Sequence, residues 1–299
     1  MAALSLKDRF ARHLWRLTPQ RTLSDFIGWW AQVNVPPGLH GLVLKTFAAK
    51  YNIDVAEAEF ELGAYPSVNE FFTRKLKVGA RPIDPDPTTV VAPADGKVVA
   101  TGIIGHAASG GKNGKGGFVE AKNIAFHLDD LLTDAQLAAK FYGGAFAVVY
   151  LSPRDYHRVH SPAAGNVVAW HHVPGQLFPV NEATVRREPD LFVRNERFVS
   201  VLEGEAVGSF AVVMVAAVGV GHITCAYDPD VRTHKHAPAG RVSSKVFSSP
   251  VRLDKGDEVG IFHLGSTAII VFEPGRVILD PSEVARPIRM GARVGSIGS

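Results

Sequence analysis

From residue 88 onward the chain is built of short β-branched runs broken by glycine, proline and aspartate, and this texture constrains the fold more than any other feature. Val90-Val91-Ala92, Lys97-Val98-Val99-Ala100, Gly144 to Leu151 and Asn166 to Trp170 are each bounded by turn-forming residues. Runs of this length and composition are too short for buried helices and read as the strands of an all-β sandwich or barrel. The longest apolar run, Phe210 to Gly221, is valine-rich with glycines near its end. It is too short to span a bilayer and reads as a buried strand. One helix is expected to interrupt the strands, over about 128–140.

Upstream the pattern is different. The series Arg81-Pro82-Ile83-Asp84-Pro85-Asp86-Pro87 ends regular structure, because each proline disfavours helix at the residue before it. A boundary placed here separates a helical region, 1–80, from a β-rich body, 81–299. Within the first region, Leu6, Phe10, Leu14 and Leu17 recur at near-helical spacing, with Lys7, Arg9, Arg12 and Arg16 interleaved and Trp15 beside them. The aromatic cluster Phe26-Ile27-Gly28-Trp29-Trp30 follows. Further helices are expected over 38–50 and 54–62, with Asp54 as N-cap, and another starting near Ser67. Residues 1–50 carry seven Lys and Arg against two Asp, a net +5, which leaves −2 for the rest of a chain whose total is +3. The basic excess is therefore N-terminal and does not line a nucleic-acid face, and no nucleic-acid-binding motif is present. No apolar run here approaches the roughly 20 residues of a spanning helix, and Arg and His interrupt any signal-peptide core. A basic, tryptophan-bearing apolar stripe suits a helix lying in a membrane interface; a helix packed on the protein's own core would carry the same stripe.

Several short stretches carry chemistry. The single cysteine, Cys225, allows no internal disulfide, suits a reducing compartment and reads as a buried thiol. The Gly/Lys-rich stretch 110–117 lacks P-loop spacing and reads as a surface loop. Asp95, in Pro93-Ala94-Asp95-Gly96, is a turn residue whose direction the proline and the flanking strands would fix. Ser152 to Pro162 holds His157 and His160, three residues apart. That spacing puts both on one face of a helix, or on opposite sides of an extended chain. No Cys, His or carboxylate complement stands at metal-site spacing, so no metal is expected; general acid–base work suits these histidines better. Near the C-terminus, Phe262-His263-Leu264-Gly265-Ser266-Thr267 lies between a turn, 255–258, and an apolar run, 268–272. Its Gly-Ser pair is either a tight bend between strands or, with an Asp and a His supplied from elsewhere, a serine nucleophile. The elbow G-x-S-x-G of ordinary serine hydrolases is absent. "P-x-x-G-x-V" turns and "G-x-x-V-G" hairpins resemble those of barrel-sandwich hybrid domains, which leaves open a non-catalytic carrier or binding module, though no lysine sits at a lipoyl-type hairpin tip.

Taken together, PADG (93–96), YHRVHSP (156–162), LFPVN (177–181), RNER (194–197) and KGDEVGIFHLGST (255–267) resemble the bacterial phosphatidylserine decarboxylase family, the membrane-associated, pyruvoyl-dependent type. NEFF (69–72) and RPID (81–84) extend the match, which runs in unchanged order from about residue 50 to the end. The resemblance implies an α+β fold, with N-terminal membrane-interfacial helices followed by a barrel-sandwich-hybrid-like catalytic body. It implies self-cleavage between Gly265 and Ser266, giving a β chain of 1–265 and an α chain of 266–299. Ser266 Oγ would attack the Gly265 carbonyl, with His160 as general base and Asp95 orienting the imidazole. Ser266 would then become an N-terminal pyruvoyl group that forms a Schiff base with the amine of phosphatidylserine and releases CO₂. His157 matches the histidine of the decarboxylation step, and Phe178, Val180 and Asn181 match a loop near the substrate. The implied partners are phosphatidylserine, an anionic membrane surface, and the two chains as a heterodimer, with a dimer of these left open. The implied location is peripheral, on the cytoplasmic side of the cell membrane. Two departures stand out: His222 replaces a small residue in 215–223, and the Gly/Lys stretch at 110–117 is an insertion.

Overall fold

The computed structural model describes residues 20–36, 39–105, 117–121, 124–180, 184–185, 188, 190–219, 222–231, 233, 241–263 and 266–298; the side chains of residues 20, 21, 23–25, 121 and 266 fall outside that description. In chain order the strands are β1 (Thr89–Val91), β2 (Gly96–Ile103), β3 (Phe118–Ala121), β4 (Ile124–His127), β5 (Ala145–Leu151), β6 (Arg158–His160), β7 (Gly165–Val173) and β8 (Arg197–Gly204). They continue as β9 (Gly208–Ala216), β10 (Ile223–Cys225), β11 (Ser243–Leu253), β12 (Glu258–Phe262), β13 (Ser266–Phe272), β14 (Val277–Leu279), β15 (Pro287–Ile288) and β16 (Arg293–Ile297). The main sheet has eight strands in the order β11-β7-β8-β9-β13-β5-β2-β15. Every pairing in it is antiparallel. Two three-stranded sheets, β1-β16-β14 and β10-β12-β6, and the hairpin β3-β4 complete the β structure.

The central strands β9 and β13 are apolar along their length, as strands covered on both faces must be. Phe210 to Val215 and Ala268 to Phe272 are all fully buried. The apolar run beginning at Phe210 is thus a strand as far as Ala216. The architecture is α+β and β-rich, with open sheets; among the described residues no strand order closes a barrel.

The segment 4–17 lies outside the described residues. The aromatic cluster belongs to a helix, Gln20–Gln32, and the next helix is His40–Tyr51, ended by Asn52 in the left-handed region at φ 54°. A short helix, Val68–Phe72, is capped by Ser67, whose Oγ accepts from the Glu70 N–H. The helix expected over 54–62 does not form. Its backbone is bound laterally instead: Glu59 N–H donates to the Lys75 carbonyl and Lys77 N–H to the Glu57 carbonyl, so only the single turn Leu62–Ala64 remains. The helix expected over 128–140 is two, Leu128–Leu132 and Ala135–Ala139. The break is at Thr133, φ 57°, after which Asp134 caps the N–H groups of Gln136 and Leu137. A last short helix is Leu191–Arg194. No helix among the described residues is long and apolar enough to cross a membrane.

A second hydrophobic cluster joins Ala31, Leu44, Ala48, Ile53, Ala58, Tyr65, Val68 and Phe71 around the helices. Phe72 connects this cluster to the β-rich body, with its ring centroid 6.4 Å from that of Phe47 and 3.9 Å from that of His157.

Candidate active site

Register places the Gly-Ser pair. Ser266 opens β13, with Leu151 of β5 on one side and Ala216 of β9 on the other. Because β13 is antiparallel to both, its first residue lies where both neighbours end. The exit from β5 is the segment that carries His157 and His160, and the exit from β9 leads to His222. Leu264 and Gly265 are outside the described residues. On their other side β12 pairs with β6, and Phe262 N–H donates to the His157 carbonyl at 3.0 Å. The PADG turn joins this group through the His160 N–H, which donates to the Pro93 carbonyl at 2.7 Å. Glycine is needed in that turn: Gly96 has φ +151°, and a Cβ there would lie 2.3 Å from the Tyr150 carbonyl oxygen.

His160 lies in the extended strand β6 and is buried. Its Nδ1 is 2.8 Å from the Gly256 carbonyl oxygen, which only accepts, so Nδ1 carries the proton. Nε2 therefore holds the lone pair and accepts from the Tyr156 hydroxyl at 3.2 Å. Burial pushes the imidazole below its usual pKa, against the pull of Gly256 and the nearby Glu258 and Asp95 charges. His160 is thus a neutral imidazole with Nε2 as its basic atom.

Asp95 is not the group that fixes this ring. Its carboxylate is held in a two-pronged ion pair with Arg81, Nε to Oδ1 at 2.8 Å and Nη2 to Oδ2 at 2.5 Å, and Oδ1 also accepts the Met290 N–H at 2.8 Å. Arg81 in turn reaches Glu57 Oε2 at 2.8 Å. A carboxylate only 5% exposed needs a cation, and the half-buried Arg81 supplies it. The orienting hydrogen bond expected from Asp95 comes instead from Gly256. Asp95 acts on His160 at longer range, through its charge.

His157 is fully buried. Its Nδ1 donates to the Asp155 carbonyl at 2.8 Å, and its Nε2 has no hydrogen-bond partner among the described residues. Burial first, and the Arg74 charge as well, push its pKa down to about 3. The two histidines share no hydrogen bond, as an extended chain predicts for residues three apart. Asp155 itself, whose Oδ2 accepts from Ser152 N–H and Oγ at 2.7 Å, fixes the turn before His157.

Phe178 and Val180 are buried beside this strand end, and Asn181 is outside the described residues. Asn195, fully buried, positions the loop. Its Oδ1 accepts the Phe178 N–H at 3.1 Å, and its Nδ2 donates to the carbonyls of Phe178 at 2.8 Å and Ala216 at 2.9 Å. Ala216 is the register partner of Ser266, so Asn195 links the loop directly to the start of β13. The RNER motif contained this residue, but its charged neighbours Arg194, Glu196 and Arg197 gave no sign that it is buried. His263 was missed in the same way: its ring stacks on His222 at 3.8 Å, with Nδ1 3.2 Å from Asn69 Nδ2 and Nε2 3.2 Å from Thr224 Oγ1. These contacts anchor the chain two residues before Gly265. Cys225 is a buried thiol whose pKa burial pushes up to about 11. Residues 110–116 are outside the described residues. No group of three or more His, Cys, Asp or Glu that could hold a metal occurs among the described residues.

A serine backbone at the head of a central strand, two buried neutral imidazoles and a buried Asp–Arg pair are parts suited to acyl transfer within the chain. Comparison with known proteins agrees. The profile of the phosphatidylserine decarboxylase family matches residues 68–296. The chain is 40% identical over 293 residues to the phosphatidylserine decarboxylase proenzyme of Myxococcus xanthus, covering 98% of this chain and all of the relative. It is 41% identical over 298 residues to the proenzyme of Pseudomonas aeruginosa, covering 96% of this chain and 97% of that one. It is 41% identical over 293 residues to the proenzyme of Bordetella avium, covering 96% and 95%. The chain belongs to the phosphatidylserine decarboxylase family.

Proposed function

We infer that this chain is a phosphatidylserine decarboxylase made as a proenzyme, which cuts itself between Gly265 and Ser266 and converts phosphatidylserine to phosphatidylethanolamine. The observation that carries the reading is the register of Ser266 between Leu151 and Ala216, at the strand ends from which the buried histidines emerge. In the cutting step an ester bond forms between Ser266 Oγ and the Gly265 carbonyl carbon while the peptide C–N bond breaks. His160 Nε2 takes the hydroxyl proton and returns it to the departing nitrogen. Asp95 favours the transient imidazolium through its charge, and the Gly256 carbonyl keeps Nε2 as the unprotonated nitrogen, from which the Tyr156 hydroxyl turns away as the serine hydroxyl approaches. Loss of the ester as the Gly265 carboxylate, followed by addition of water and release of ammonia, leaves a pyruvoyl group at residue 266.

The neighbourhood fits that group. Thr267 Oγ1 and His157 Nε2 are buried without hydrogen-bond partners among the described residues, so the site holds polar atoms that its own side chains leave unused. When formed, the pyruvoyl group supplies an electron sink for the pair left behind as CO₂ departs. His157 Nε2, unprotonated in the neutral resting ring that burial favours, takes up a proton from solvent and passes it to the carbon that CO₂ leaves, since a buried imidazolium gives up its proton readily. Phe178 and Val180 form an apolar wall kept in place by Asn195 and exclude water from the carbanion.

The helix Gln20–Gln32 supports a peripheral seat on the membrane. Gly28 and Ala31 face the protein, while Phe26, Trp29 and Trp30 are 61%, 63% and 50% exposed. Leu39 and Leu42 extend the exposed apolar surface, and Lys45 and Lys50 follow. Such a face inserts into the headgroup layer and is drawn to anionic lipid, as a substrate that stays in the bilayer requires. The cytoplasmic face is the proposed side, and the cut β and α chains stay together as a heterodimer because the α chain begins with the central strand β13. Ser266→Ala tests the reading: a single uncut band without activity is expected, and an uncut Ser266→Ala chain that still releases CO₂ would overturn it.

A further inference from the structure

Arg74 is only 5% exposed, yet its guanidinium is poorly satisfied. Nη1 reaches the Phe71 carbonyl at 3.4 Å and Nη2 the Arg154 carbonyl at 3.5 Å, both long, and Nε has no partner. No carboxylate lies within ion-pair distance of it among the described residues. Arg197, 2% exposed, shows how the same fold satisfies a guanidinium that only holds structure. Its Nε donates to Leu131 at 2.7 Å, its Nη1 to Val193 at 2.5 Å and Asn195 at 3.0 Å, and its Nη2 to Asp130 at 2.5 Å, all backbone carbonyls. A buried cation without a charged partner is costly, and the Phe71 ring, whose centroid is 5.1 Å from the Arg74 Cζ, offsets only part of that cost, so the Arg74 arrangement has room for an anion.

Its position says which anion. Arg74 follows Phe72, whose ring lies against His157, and Thr73, whose carbonyl accepts Arg158 Nε at 3.0 Å. Residues 72–74 thus run along the His157 segment, and Nη2 reaches the carbonyl of Arg154 within it. His157 Nε2 and Arg74 Nε are two unpartnered buried polar atoms in one packing unit, an acceptor and a cationic donor.

We propose that Arg74 binds the phosphodiester of the phospholipid headgroup. This rests on the decarboxylase reading above. The substrate offers two anions, and the reaction distinguishes them. The carboxylate loses its charge as CO₂ leaves, so a cation on it would favour the ground state over the transition state. The phosphodiester keeps its charge throughout, so binding it anchors the headgroup without opposing the reaction. A planar guanidinium also matches two phosphate oxygens at once.

The test uses the self-cut enzyme with soluble dihexanoyl phosphatidylserine as substrate and dihexanoyl phosphatidylethanolamine as competitor. Arg74→Gln is expected to cut itself normally and to raise KM about 10- to 100-fold, the loss of one charged hydrogen-bonding partner, with kcat little changed. The inhibition constant of the ethanolamine lipid should rise by the same factor, since it keeps the phosphodiester and lacks the carboxylate. Arg74→Lys, which keeps the charge, should show a smaller rise in both and stands in if the Gln variant does not fold. Unchanged KM, a loss confined to kcat, or a raised KM with unchanged inhibition by the ethanolamine lipid would each overturn the proposal. Inorganic phosphate competing as tightly as that lipid would also overturn it, as the mark of a free-phosphate site. If the wild-type chain turns over no phosphatidylserine, calorimetric binding of the ethanolamine lipid still decides: weaker binding to Arg74→Gln supports the site, and equal binding overturns it.

Discussion

His157 and His160 stand three residues apart in an extended segment, and their surroundings give them different work. His160 Nε2 is covered by the Tyr156 hydroxyl and its ring is held by Gly256, whereas His157 Nε2 is left open. His160→Ala should leave the chain uncut on a denaturing gel. His157→Ala should cut and then lose about 10² to 10⁴ in turnover, the usual worth of a positioned acid–base group. Both rings have pKa values lowered by burial, so the unfolded chain binds more protons than the folded one between those values and the ordinary 6.5. Their contribution to stability is therefore complete above pH 6.5 and is lost as pH falls towards about 3 for His157. Thermal melts should show stability falling by about 1.4 kcal/mol per pH unit from His157 in this window, and His157→Gln should flatten that slope. Asp95→Ala should destabilise the fold by roughly 3–5 kcal/mol in chemical denaturation, since it strips Arg81 of its main buried partner. The residue types of this site were legible in the sequence, because a serine beside glycine and a His-rich stretch after a strand are local signals. The partner of Asp95 was not legible, because the choice between Arg81 and His160 depends on how two turns pack. The poor satisfaction of Arg74 was hidden for the same reason.

Among the elements, the site depends on strand ends. β5, β9 and β13 meet at one level of the sheet, and Asn195 ties the 177–180 loop to that level by three hydrogen bonds. Asn195→Ala should cost about 1–3 kcal/mol for each backbone group left buried and unpaired, read in chemical denaturation. It should also lower activity on short-chain substrate more than it lowers self-cutting, because it holds the loop and not the scissile bond. The strands were readable from composition, since β-branched runs between turn residues have few alternatives. The helix expected over 54–62 failed because the backbone of Glu57 and Glu59 found partners at 75–77, a pairing no local pattern reports. The split at Thr133 could have been foreseen from Asp134, a better N-cap than helix interior. The order of the eight strands, which makes open sheets in place of a barrel, arises from long-range pairing.

At the scale of the whole molecule, the helix Gln20–Gln32 joins the helical cluster through Ala31, on the side opposite its exposed aromatic residues, and Phe72 connects that cluster to His157. The proposed membrane seat and the site are therefore joined by packing. Replacing Phe26, Trp29 and Trp30 together by Ala should reduce binding to anionic vesicles in a sedimentation assay by at least tenfold, since burying even one such side chain is worth about 1.5–3 kcal/mol. Self-cutting should be unaffected, because these side chains face away from the core. In the proposed reaction Ser266 acts once on its own chain and is consumed. Mass spectrometry of the purified protein tests it most directly. Two chains are expected, 1–265 and 266–299, with the shorter one blocked at its N-terminus by a pyruvoyl group in place of serine. A single intact chain of 299 residues that decarboxylates phosphatidylserine would contradict it.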